Sequence, residues 1–401
     1  MWVYQLLIRL LLPLAAILIV FTKNKTPSFV SQRLGFGYDN IFKNQQPIWI
    51  HCASVGEVKA VEQLVQHFSK QHAILITTNT PTSKMLIDSL FESKNIYHQY
   101  CPYDLPIFIK NFIKTHNPST LWVIETEIWP NLFQVSYKHK IRIKILNGRL
   151  SQKTLTAPNW LRKSYSKAFN LVSLVITRNQ LEADNFMTLG VARKNLRVIG
   201  NLKYAGLTNI QPQKSAIKRP FVLLASSHPS EELAIVNLWD NLKRKELLVI
   251  VPRHPKRRDS IIEELDEYRD ELAVYSLKEK IESTTAFYLM DSIGKLTPLF
   301  TDAKLVIMGG SFVKKGGHNI LEPASVKSAI ITGKDMSDFE DETELLKEFK
   351  GIQQVNSYEQ LEQLLPTLLD NEKLLQQQGE NAYQAILSQQ NILNEYLEQL
   401  T

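Results

Sequence analysis

Residues 305–324 read LVIMGGSFVKKGGHNILEPA. Leu305–Met308 is an apolar run of strand length, and Gly309-Gly310-Ser311 follows it directly. A second glycine pair, Gly316-Gly317, leads into His318-Asn319-Ile320-Leu321-Glu322-Pro323-Ala324, where a helix is expected. Glycines at such a junction let backbone N–H groups approach a phosphate, and a helix N-terminus favours the anion. Glu322, a turn into that helix, is placed to accept hydrogen bonds from ribose hydroxyls. No Gly-Lys-Ser/Thr occurs, so this is not a Walker loop. The stretch reads as a nucleotide site at the carboxyl end of a strand in an open α/β sheet.

The same grammar recurs outward in both directions. Short runs rich in Val, Ile and Leu, without polar alternation, are expected as strands buried on both faces of a parallel sheet. They are Ile48–Ala53, Ala73–Thr78, Tyr97–Tyr100, Leu121–Glu125, Arg142–Leu146, Leu174–Thr177 and Arg197–Ile199, then Phe221–Ala225, Leu247–Val251, Phe287–Met290, Leu305–Met308 and Ala329–Thr332. Amphipathic stretches such as Lys59–Phe68, Lys84–Glu92, Glu231–Lys243 and Asp259–Asp270 lie between them. Strand–helix alternation in two sets predicts two doubly wound α/β domains. The expected organisation is a membrane anchor over 1–22, a first domain over 23–206, a polar linker over 207–219, and a second domain over 220–401 that ends in polar helices.

Charge is divided unevenly. Residues 1–200 carry 24 Lys+Arg against 10 Asp+Glu, a balance of +14, and residues 201–401 carry 23 against 30, or −7. The first half alone is therefore suited to an anionic partner: a membrane surface, a phosphorylated acceptor or nucleic acid. Nucleic acid is disfavoured, because the cations are not interleaved with an aromatic stripe and no nucleic-acid motif occurs. Leu6–Phe21 is apolar except for Arg9 and contains Pro13. It is shorter than the ~20 residues of a comfortable span. Lys23, Lys25 and Arg33 follow it, which places the rest of the chain on the cytoplasmic side. Two cysteines, Cys52 and Cys101, exclude a disulfide framework or a four-cysteine zinc site.

Other strand ends carry chemistry. Ile48–Ala53 runs into Ser54-Val55-Gly56-Glu57, where Gly56 permits a tight turn and Glu57 falls in a first helical turn. There Glu57 is either a helix-capping group or a general base toward a hydroxyl. Leu121–Glu125 leads into Glu125-Thr126-Glu127-Ile128-Trp129-Pro130-Asn131. That run suits a divalent metal, a sugar acceptor, or simply a helix start with Pro130 in its first turn. Asn147-Gly148-Arg149-Leu150-Ser151, Gly200-Asn201-Leu202-Lys203 and Pro252-Arg253-His254-Pro255 deliver cations suited to phosphate or carboxylate.

Taken in order, these motifs resemble the bacterial 3-deoxy-D-manno-octulosonic acid (Kdo) transferases over nearly the whole chain. Gln32-Arg33-Leu34-Gly35, Pro102-Tyr103-Asp104 and Ser227-His228-Pro229 with Glu231-Glu232 belong to the same series. The resemblance implies a GT-B fold, two Rossmann-like domains facing a central cleft. It implies an inverting transfer of Kdo from CMP-Kdo to a hydroxyl of the phosphorylated, tetra-acylated lipid A precursor (lipid IVA), with no metal or other cofactor, at the cytoplasmic face of the inner membrane. Glu57 would be the base, with Ser54, Gly56, Glu127, Arg149 and Lys203 around the acceptor. Arg253, His254, Gly310, Ser311, Gly317, His318, Asn319 and Glu322 would hold CMP. Two positions depart from the family pattern: Ala205 where an acidic residue is expected, and Lys295 where Glu is usual. They leave open a paralogue with another sugar or acceptor, or a silent lipid-binding one. The sequence carries no signal for oligomeric state.

Overall fold

The computed structural model describes residues 3–10, 21, 26–42, 45–292, 294 and 296–401. Most of the expected anchor over 1–22 lies outside them, as does Lys295. No helix among the described residues is long and apolar enough to cross a membrane. Two compact units are present, Met1–Ala205 with Asn391–Thr401, and Gly206–Gln390.

The first unit is built on β1 (Ile48–His51), β2 (Ile74–Thr78), β3 (Ile96–Tyr100), β4 (Thr120–Ile124), β5 (Arg142–Gly148), β6 (Val172–Thr177) and β7 (Leu196–Val198). They form one parallel sheet in the order β3-β2-β1-β4-β5-β6-β7. Ile50, Leu75, Val123 and Ile145 are buried, and Trp49 packs on Phe112 with ring centroids 4.4 Å apart. Helices cover the sheet because each crossover presents an apolar stripe to it.

The second unit contains β8 (Phe221–Ser227), β9 (Leu247–Pro252), β10 (Leu272–Val274), β11 (Phe287–Leu289), β12 (Leu305–Met308), β13 (Ile330–Thr332) and β14 (Gln353–Gln354). Its parallel order is β10-β11-β9-β8-β12-β13-β14. Both sheets are Rossmann-like and doubly wound, the α/β class expected. The strands absent from the sequence expectation, β10 and β14, are the two edges, only three and two residues long.

Two boundaries differ from expectation. The stretch 207–219 is part of the second unit and not a free linker. A 3-10 turn at Leu207–Asn209 packs on the Leu321–Ser325 and Glu372–Leu387 helices, and the Ser215 N–H donates to Asp302 Oδ2 at 2.6 Å. The last helix, Ile392–Leu400, belongs to the first unit rather than the second. Its fully buried Tyr396 donates from its hydroxyl to Gly200 O at 3.1 Å, and Lys144 Nζ reaches Leu400 O at 3.4 Å. An amphipathic helix goes where its apolar stripe is buried, and sequence order does not fix that place.

Candidate active site

In the first sheet the crossovers reverse direction between β1 and β4, which opens a crevice beyond their carboxyl ends. Glu57 follows β1, and Glu125 and Glu127 follow β4. Ser54 is the N-cap of the Val55–Ala60 helix and accepts from the Glu57 N–H at 3.3 Å. The Glu57 carboxylate reaches back, accepting from the Ala53 N–H at 2.7 Å and the Ser54 hydroxyl at 3.0 Å. This is a variant capping box, in which the carboxylate takes the N–H preceding the cap residue. Glu57 is only 6% exposed. Burial pushes its carboxyl up to about 7, the Ala53 N–H pulls it down, and nearby Glu125 and Glu127 raise it further. The capping reading is thus realised, and it leaves a carboxylate able to take a proton near neutrality.

Gly56 departs from expectation. It lies inside the helix without a positive φ, and a Cβ there would meet only Ser54 Oγ, at 3.9 Å. The turn does not require a glycine at this place. What the glycine leaves is open space beside Ser54.

The helix-start reading of Glu125–Asn131 is also realised, since Pro130 opens the Pro130–Lys138 helix. Asp104, fully enclosed, caps that helix by accepting from the N–H groups of Asn131 at 3.0 Å and Leu132 at 2.7 Å, and from the Tyr4 hydroxyl at 2.6 Å. Burial lifts the Asp104 carboxyl to about 6 against these donors. Glu125, in the left-handed region with φ 58°, pairs with the buried Arg178 guanidinium and with Asn147 Nδ2 at 3.4 Å. Glu127 accepts from Trp129 Nε1 at 2.6 Å and stands 3.7 Å from His51 Nε2, an ion-pair distance too long for a hydrogen bond. Burial opposes a charge on His51, but Cys101 and Glu127 outweigh it and push the ring up to about 10. Burial would raise Glu127, and His51, Trp129 and Arg33 instead hold it below the usual carboxylate range.

Asn147 Oδ1 accepts from the Leu202 N–H at 3.0 Å and so fixes the Leu202–Tyr204 turn, which packs on the Glu57 helix and carries half-buried Lys203. Arg149, half-buried, has no hydrogen-bond or ion-pair partner among the described residues. Arg33 donates to Asn79 Oδ1 at 2.7 Å and Cys101 O at 2.5 Å and lies over the Tyr103 ring. The sequence reading gave no role to His51, Asp104 or Arg178. Arg178 directly follows a strand, the same signal that marked Arg149.

In the second sheet the reversal falls between β8 and β12. Glu231, fully buried, accepts from the N–H groups of Gly310 at 2.7 Å, His228 at 2.9 Å and Phe312 at 3.1 Å, stitching the two strand ends together. Glu232 holds Arg257 bidentately at 2.6 and 3.2 Å and accepts from the Ser227 hydroxyl at 2.8 Å. Gly310 and Gly317 have φ 70° and 72°, and a Cβ on Gly317 would lie 2.3 Å from Met336 Sδ. Asn319 donates to Glu322 Oε1 at 3.0 Å and accepts from the Leu321 N–H at 3.1 Å, which orients the half-buried Glu322.

The helix after the glycine loop is only Leu321–Ser325, so its dipole offers an anion less than a full helix would. Ser311 is fully buried. Its hydroxyl donates to Met308 O at 2.5 Å and accepts from the Gly333 N–H at 2.7 Å, which makes it a brace beneath the loop. Arg253 and His254 are exposed just past β9, and the Arg253 N–H is tied to Ser227 O at 3.0 Å. His318 joins them near His228. Burial, then the neighbouring His228, Arg253 and His254, press His318 down to about 4. Cations gathered at a sheet's switch point suit an anionic ligand.

The family model of 3-deoxy-D-manno-octulosonic-acid transferase (kdotransferase) matches residues 29–206. The chain is 31% identical over 415 residues to the 3-deoxy-D-manno-octulosonic acid transferase of Haemophilus influenzae, covering 99% of this chain and 97% of that one. It is 31% identical over 422 residues to the enzyme of the same name from Rickettsia bellii, covering 100% and 99%. A solved glycosyltransferase from Rickettsia africae superposes with a TM-score of 0.59 at 15% identity, over 88% of this chain and 97% of that one, a likeness of fold that agrees with the GT-B class. Alignment end to end with curated enzymes at this identity means that the chain belongs to the 3-deoxy-D-manno-octulosonic acid transferase family.

Proposed function

We propose that the protein transfers Kdo from CMP-Kdo to a hydroxyl of a phosphorylated, tetra-acylated lipid A precursor, with Glu57 as general base. The acceptor hydroxyl gives its proton to Glu57 as its oxygen bonds to the anomeric carbon. The bond from that carbon to the phosphate oxygen breaks on the opposite face, and CMP leaves as a phosphate monoester. The observation that carries this reading is Glu57 itself: a buried carboxylate at a sheet's switch point, fixed by two donors and poised near neutral pH. Arg253, His254, His318, Asn319 and Glu322 hold CMP in the second unit, with Gly310, Ser311 and Gly317 shaping the loop. Ser54, Gly56, Glu127, Arg149 and Lys203 serve the acceptor in the first. The basic first half suits a phosphorylated lipid at the cytoplasmic face of the inner membrane, and the reaction needs no metal.

The test is transfer by purified protein from CMP-Kdo, made in situ, to the precursor in the presence of a chelator, with products weighed by mass spectrometry. Release of CMP without a Kdo-bearing lipid would put the acceptor assignment aside, and no turnover from protein that binds CMP would favour a divergent or silent paralogue. Two variants probe the assignments. Glu322→Ala is expected to weaken CMP binding about tenfold, the loss of one hydrogen bond to a charged group. An unchanged dissociation constant removes Glu322 from the ribose. Gly56→Ala is expected to stabilise the fold by about 0.5–1 kcal/mol, because alanine suits a helix interior better. It should nevertheless slow transfer by filling the space beside Ser54. Equal transfer in that variant means the acceptor does not use that space.

A further inference from the structure

His228 follows β8 and His318 follows the glycine loop after β12, so the two rings stand on the strands that flank the switch point. Their Nε2 atoms are 2.9 Å apart, with ring planes 9° from parallel and centroids at 5.1 Å. At that distance one Nε2 carries the proton and the other accepts it. The donor ring then has a free Nδ1. One more proton taken there makes the pair a cation without breaking the contact. A second would have to go between the two Nε2 atoms, where there is no room. The pair is therefore a site for a single proton.

Its surroundings decide when that proton arrives. His254, Lys315 and Arg257 bear on His228, opposed by Glu232, which is itself committed to Arg257. Arg253 and His254 bear on His318. Glu231, the other acid at this end of the sheet, is occupied by three backbone N–H groups. Burial and these cations hold both rings below the ordinary histidine value, so the empty pair is neutral. An anion among the same cations reverses the balance.

We propose that the His228–His318 pair takes up one proton from solvent when a phosphate monoester dianion binds beside it, and releases it when that ligand leaves. This rests on the CMP assignment and adds His228 to it as a phosphate-binding residue. In the reaction the phosphate of CMP-Kdo carries one negative charge, and the departing CMP carries two. The pair becomes cationic as that second charge develops, which favours bond breaking.

Calorimetry on the full chain tests it, with CMP as ligand at about pH 7, where the phosphate is largely a dianion. The apparent enthalpy is measured in buffers of different ionisation heat. Uptake of close to one proton is expected with CMP and none with cytidine. His228→Gln and His318→Gln are each expected to abolish uptake and weaken CMP about tenfold, the loss of one charge-assisted hydrogen bond. For the wild type, affinity should rise as pH falls from 8 toward 6.5. CMP binding with no buffer dependence overturns the inference and leaves the functional reading standing. Uptake that persists in both variants shows that the pair is not needed to take the proton and also overturns it. No CMP binding at all overturns both.

Discussion

Glu57→Gln is expected to lower kcat by about 10²–10⁴-fold, the usual contribution of a positioned general base, with CMP affinity unchanged. The amide keeps an acceptor for the Ala53 N–H, so the loss reports on proton transfer and not on the helix start. In the wild type the rate should fall tenfold per pH unit below about 7, because the base must be ionised. The stability consequence has the opposite sign. The folded carboxyl is raised above its unfolded value, so the native state holds a proton that the unfolded chain has lost. Stability therefore declines between the ordinary carboxylate value and about pH 7, by on the order of 3 kcal/mol. The glutamine variant lacks that decline and should melt higher than wild type at pH 8. Wild-type turnover in the variant would remove Glu57 as the base, and identical melting curves would show that its carboxyl is not raised.

Glu231→Ala is expected to be the most damaging single change in the second unit. It strands three backbone N–H groups, that of Gly310 buried and those of His228 and Phe312 part-buried, at about 1–2 kcal/mol each, the lower part of the usual range. A loss on the order of 3–6 kcal/mol follows, enough to unfold a marginal domain. Denaturant unfolding followed by fluorescence should show it, and CMP binding should fail with it, since Gly310 and Phe312 lose their anchor. Glu231→Gln, which keeps one oxygen, should lie between. A Glu231→Ala protein with an unchanged midpoint would mean that water reaches those N–H groups.

Local grammar made much of this molecule legible. Every fully buried strand except β10 announced itself as a short apolar run, Glu57 and Glu127 were visible as acids just past such runs, and Glu322 stood out beyond the glycine loop. What escaped depended on partners distant in sequence. Asp104 caps a helix that begins at Pro130, and nothing around Asp104 names that helix. Arg178 gains meaning only from Glu125. β14 is Gln353–Gln354, polar and two residues long, held by pairing with β13 rather than by any preference of its own. The family resemblance set Ser311 against CMP, whereas its burial turns its hydroxyl toward the backbone. Gly56 shows the converse, a glycine the backbone does not need.

The homecoming of the Ile392–Leu400 helix bears on how the protein is made. The first unit has all but its last piece once Ala205 leaves the ribosome, yet the slot for Tyr396 stays empty until Gly206–Gln390 has been synthesised. At translation speeds of about 5–20 residues per second that interval is on the order of ten seconds or more. During it Gly200 O and the Glu62–Phe68 helix, which the final helix covers, face solvent or a chaperone. A premature stop before Asn391 would therefore leave a complete second unit joined to an unfinished first one, and quality control would read the defect at the opposite end of the chain from where the mutation lies.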